Sequence, residues 1–325
     1  MFSRRVSDSV AISLEMQRMA DARAQRFAIR LSLAVGILMF AGKTFAYRIT
    51  GSAAILSDAA ESVVHVAAVA FAAYSLRLSF KPADENHPYG HEKIAFFSAG
   101  FEGAMIVIAA LYILFEAIQK WLVGLQLERL GEGALIVAGA ALLNGALGSY
   151  LIWKGRRYRS LILEANGRHV LTDCYTSLGV LVGLGLTLLT GWLPFDPILA
   201  ILVALNILWS GGKLIRQAFG GLMDERDAHV DTTVRAALEA VIPNHVVEYH
   251  GLRHRRMGDS IYIDVHLLFR EGKLLCDAHE VATGLEEQIA SALLPHRAVM
   301  TTHLECVERH GSHHAPIIGG DSRQQ

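Results

Sequence analysis

Two short stretches of this chain carry metal-binding side chains at helical spacing inside otherwise apolar sequence. In LSDAAESVVH, Asp58, Glu61 and His65 fall three and four residues apart and share one helical stripe; in HVLTD, His169 and Asp173 stand four apart on one face. Ionisable groups in a membrane span are costly, so a functional role is their default reading. The pairs Glu61/His65 and His169/Asp173 together offer two imidazoles and two carboxylates, which suits a tetrahedral divalent ion. Counted along their segments at ~1.5 Å per residue, the two pairs lie within about one helical turn in depth, so they can share that ion. For a lone polar residue in a span, interhelical hydrogen bonding is the plainer role, and Asn144, Asn166, Asn206 and Glu102 are read that way. Asp58 stays open between support, a relay and an alternative ligand.

A second inventory of ligands sits in ADENHPYGHEK, where Asp84, Glu85, His87 and His91 surround Pro88. A third lies near the C-terminus. In IYIDVHLLF, the alternation of Ile261, Ile263, Val265 and Leu267 assigns one face to a core and turns His266 outward. In MTTHLEC, Met300, Thr302 and Leu304 point one way and His303 and Glu305 the other, two residues apart and able to hold one ion.

The elements that must position these groups follow from composition. The 325 residues are 52% hydrophobic and 19% charged, more apolar than one soluble core needs. Six apolar segments of about 20 residues or more are expected to cross a bilayer: Phe27–Ile49, Ser52–Leu78, Ile94–Leu122, Gly133–Trp153, Leu161–Trp192 and Leu193–Ile215. Arginines precede the first segment, and Arg77, Lys81, Lys93, Lys154, Arg156, Arg157 and Arg159 follow the second and fourth, against only Arg48, Lys120 and Arg129 on the other side. Both termini are therefore expected in the cytoplasm. The expected divisions are a cytoplasmic segment over 1–26, a six-helix transmembrane domain over 27–216, a cytoplasmic metal-binding domain over 217–309, and a disordered tail over 310–325. In the soluble part, helical spacing over Val230–Ile242 and Ala278–Leu294 and strand patterns over Val246–Arg255, Ile261–Phe269 and Ala298–Val307 predict an αββαβ order. The fold class is thus an α-helical membrane protein with six transmembrane helices plus a C-terminal cytoplasmic α+β domain. A net charge of -1 sets nucleic acid aside as a partner. Three scattered cysteines imply no disulfide framework.

LSDAAESVVH, PADENHPYGHEK, HVLTD and GLMDE together resemble the cation diffusion facilitator family of metal/proton antiporters, most closely its bacterial zinc and iron exporters, over Phe27–Glu308. The resemblance implies a homodimer in a bacterial inner membrane and a metallochaperone-like fold for the soluble domain. It carries the family's transport site onto Glu61, His65, His169 and Asp173. Glu61 and His65 depart from the family's usual residues, which leaves the metal preference open. It implies a second site at Asp84, His87 and His91, and a third, two-ion site at His250, His266, His279, His303 and Glu305. It also implies a charge pair between Lys93 and Asp224 near the membrane surface.

The expected function is export of a divalent transition metal from the cytoplasm in exchange for protons, with zinc first and iron, cobalt, cadmium or nickel as alternatives. Imidazole binds metal only when neutral, and free imidazole titrates at about 6.5, so protons can displace the ion. An enzyme is not expected: His-Glu-x-x-His is absent, and four protein ligands leave no place for a reacting water. A sensor or scaffolding partner that binds metal without moving it is the alternative from another class.

Overall fold

The computed structural model describes residues 2–50, 53–123, 133–192, 194–241, 246–294 and 296–307, with some side chains in these ranges, Asp58 and Glu61 among them, outside the described set. The expected disordered tail over 310–325 also lies outside the described residues. The chain divides into two compact units at Phe219/Gly220.

The first unit is helical: α1 Phe2–Thr50, α2 Ala53–Ser79, α3 Ile94–Val123, α4 Gly133–Arg157, α5 Leu161–Thr190 and α6 Phe195–Leu222, whose last residues fall past the division. The α1 helix starts well before the apolar segment expected from Phe27, because residues 2–26 contain neither Gly nor Pro to interrupt helical hydrogen bonding. Among the described residues, Met19–Gly42, Ile94–Val123 and Pro197–Leu222 are long and apolar enough to cross a membrane.

Among the described residues, the α5 helix belongs to two apolar cores of this unit. Ile162, Leu163 and Val170 pack with Ala28, Ile29, Val69, Leu76 and Leu151. Its Ala165 packs with Ile106, Ile207 and Leu214. Small residues bring α4 and α5 together: a Cβ on Gly148 would lie 2.9 Å from the Gly167 carbonyl oxygen, and one on Gly167 would lie 2.9 Å from that of Gly148. Gly191, at φ +72°, follows the last turn of α5.

The second unit runs α7 Ala228–Val241, β1 Glu248–Met257, β2 Ser260–Phe269, α8 Leu275–Ala292 and β3 Arg297–Cys306, the expected αββαβ order with no end shifted by more than three residues. Asp227 Oδ1 accepts from the backbone N–H groups of His229 and Val230 and so caps α7. The β1 and β2 strands are antiparallel, joined by a two-residue turn in which Gly258 has φ +60°. The α8 crossover returns the chain so that β3 pairs parallel to β2. Ile261, Ile263, Val265 and Leu267 are at most 1% exposed, and they form the core with Val234 and Leu238 of α7 and Leu285 and Ile289 of α8. That core fixes the opposite face of β2, where His266 lies.

Candidate metal centres

In the helical unit, His65 of α2 and His169 and Asp173 of α5 come together, each with one ligand atom within 4.8 Å of the others. His65 Nδ1 lies 3.6 Å from Asp173 Oδ2. The two imidazoles stack with centroids 5.0 Å apart. His169 is buried because α5 sits between two apolar cores; one turn on, Asp173 is more open, at 45% side-chain exposure. One imidazole from each helix and a carboxylate form a mixed N/O donor set that suits a borderline divalent ion. Gly36 of α1 faces the His65 ring, where an added Cβ would lie 3.4 Å from Cδ2. The side chains of Glu61 and Asp58 lie outside the described residues.

The loop between α2 and α3 gathers Asp84, His87 and His91. A tight turn does this: the Asp84 and His87 backbones exchange hydrogen bonds, and Asp84 Oδ1 accepts from the His87 N–H at 2.9 Å. His87 Nδ1 and His91 Nε2 lie 3.1 and 3.5 Å from the two Asp84 oxygens, with ring centroids 4.4 Å apart. Lys81 donates to Asp84 Oδ2. This ammonium, with His87 next in effect, holds the Asp84 carboxyl well below the usual carboxylate range. Lys81 thus occupies an oxygen that a metal would use. Glu85 is exposed in the same turn and is not part of the three-residue cluster.

In the second unit the strand register makes a cross-sheet row: His250 pairs with His266, and His266 with His303. Ring centroids are 4.7 Å apart for the first pair and 4.9 Å for the second. Glu305, two residues beyond His303, is the hub. Its Oε2 lies 3.2 Å from His250 Nε2, and its Oε1 meets His266 Nδ1 and lies 3.6 Å from His303 Nε2. His250, His266 and Glu305 close to metal-binding spacing, with His303 beside them. His279 does not join them; it is exposed on α8.

Lys93 lies in the first unit and Asp224, at φ +56°, in the second. Other residues at these sites carried weaker signals in sequence. Gly251 interrupts the β1 register, adopts φ +63°, and places the site of an added Cβ 3.3 Å from His266 Cδ2. A Gly between two strand histidines is the only trace of this. Glu102, read as an ordinary interhelical partner, has Oε2 3.4 Å from His169 Nδ1.

Residues 29–223 match the cation efflux transmembrane domain, and residues 228–306 match the cytoplasmic, dimerising domain of cation efflux proteins. This chain is a cation diffusion facilitator. The facilitator is 35% identical over 281 residues to a Synechocystis sp. protein named an uncharacterized transporter, covering 86% of this chain and 89% of the relative. It is 28% identical over 256 residues to the cation-efflux pump FieF of Escherichia coli, covering 79% and 85%. It is 28% identical over 211 residues to the zinc transporter ZitB of Yersinia pestis, covering 65% and 66%. Membership makes it a cation efflux transporter with a helical transmembrane domain and a cytoplasmic domain built on a small sheet.

Proposed function

We propose that this facilitator exports zinc from the cytoplasm in exchange for protons, as a homodimer of six-crossing protomers with both termini cytoplasmic. The observation that carries the reading is the meeting of His65, His169 and Asp173 between two helices of a transmembrane domain. Zinc accepts four-coordination by imidazole and carboxylate without a geometric preference of its own, and Glu61, four residues before His65, is assigned the fourth place. FieF and ZitB are named as a cation-efflux pump and a zinc transporter, which supports the substrate class.

The exchange follows from ligand chemistry. Zinc and protons compete for the same imidazole nitrogens, so an outward-open site facing a more acidic solution releases zinc and takes protons. The protonated site then returns inward and discharges them. The cluster at His250, His266, His303 and Glu305 is assigned a regulatory ion that biases the dimer toward its transporting arrangement, and Asp84, His87 and His91 a second cytoplasmic site.

Proteoliposomes with an imposed pH gradient test this. Zinc uptake should follow the proton gradient and stop when a protonophore collapses it. Uptake that persists unchanged without the gradient contradicts proton exchange.

A further inference from the structure

Behind His169 a line of buried polar groups crosses the helical unit. Ser32 of α1 donates to Asn166 Oδ1 at 2.8 Å, and Asn166 Nδ2 of α5 donates to Glu102 Oε1 of α3 at 3.3 Å. All three residues have 0% exposure. At the end of the line, Glu102 Oε2 stands 3.4 Å from His169 Nδ1, yet both atoms are buried and neither makes a hydrogen bond. Buried polar groups left in that state are costly, and the natural partner of each is the other.

We propose that Glu102 is a positioning residue of the membrane metal site: its carboxylate takes the Nδ1–H of His169 and so presents Nε2 to the ion. The contact is within reach, and a small rotation of the ring turns it into a hydrogen bond. A carboxylate on the far nitrogen of a metal-binding imidazole fixes its tautomer and orientation and raises its basicity. Asn166, itself held by the Ser32 hydroxyl, fixes the carboxylate in turn, because it occupies Oε1 and leaves Oε2 for the ring. The site thereby spans α1, α3 and α5 in addition to α2. This inference rests on the proposed transport site.

Glu102→Gln separates positioning from packing. The amide has the same volume and its one oxygen still accepts from Asn166, but it offers His169 an N–H where an acceptor is needed. In full-length protein in proteoliposomes, E102Q is expected to raise the KM for zinc uptake by about tenfold to a hundredfold. The maximal rate should change less and the thermal midpoint stay near wild type. An unchanged KM in folded E102Q overturns the proposal. Should E102Q fail to fold, Asn166→Ala carries the same test by untying Oε1, at the cost of the Ser32 bond as well: its KM should rise, and an unchanged value is equally fatal. His169→Ala in the same series distinguishes the two levels. If it transports normally, the transport site itself falls; if it is inactive while E102Q is normal, only the role of Glu102 falls.

Discussion

His65 and His169 stack their rings 5.0 Å apart across two helices, with Asp173 Oδ2 3.6 Å from the first ring. A shared dication holds two neutral imidazoles at that distance, whereas two protons delivered to them repel. Under the proposed function, the same pair binds zinc in one protonation state and releases it in another.

Metal ranking should respond to this pair. His65→Asp replaces a borderline nitrogen with a hard oxygen, so competitive transport of zinc, ferrous iron, cobalt and manganese is expected to shift toward manganese. If the variant keeps the wild-type ranking, His65 is not a ligand.

Within the sheet, Glu305 serves three imidazoles and His279 none of them. Zinc titration by calorimetry should show a larger loss of affinity at the soluble site for Glu305→Gln than for His279→Ala. The reverse order would move the site toward α8.

Gly251→Ala places a Cβ at φ +63° and 3.3 Å from the His266 ring. Left-handed backbone costs a non-glycine residue about 1 to 2 kcal/mol, so the soluble unit should lose about that much stability, and zinc affinity should fall with it. Thermal unfolding with and without zinc measures both.

His254, with a side chain only 3% exposed, lies 3.7 Å from Asp231 Oδ1. Burial pushes its pKa below the ordinary histidine value, with Asp231 opposing. The unfolded chain thus binds the proton more readily, and this contribution to stability is full above the ordinary value of about 6.5 and lost as pH falls through it. Thermal midpoints between pH 7.5 and 5.5 should fall less steeply in His254→Gln than in wild type. Equal slopes would remove His254 as a source of acid sensitivity.

Much of this arrangement was legible in sequence because it follows period. Four-residue spacing identified His169 with Asp173, and two-residue spacing identified the outward face of His266, His303 and Glu305. Matching depth placed His65 beside the fifth helix. Less legible were contacts that depend on packing between elements far apart in the chain. Nothing local to Glu102 distinguishes it from an ordinary hydrogen-bond partner, since its neighbour His169 is on another helix. Lys81 reads as a flanking charge until the turn brings it onto Asp84. His279 is exposed on α8 and is not among the described residues that close to metal-binding spacing, and helical periodicity sets its direction only within a broad stripe. The early start of α1 was hidden because polarity marks a membrane boundary but does not end a helix.

The central claim is that the His65, His169 and Asp173 cluster carries the transported ion, and zinc uptake by His65→Ala and Asp173→Ala in proteoliposomes under a pH gradient tests it most directly. Both variants are expected to lose uptake while retaining wild-type zinc binding at the soluble site and a wild-type thermal midpoint. Uptake at the wild-type rate by both, in protein of normal stability, would place the path of the ion elsewhere.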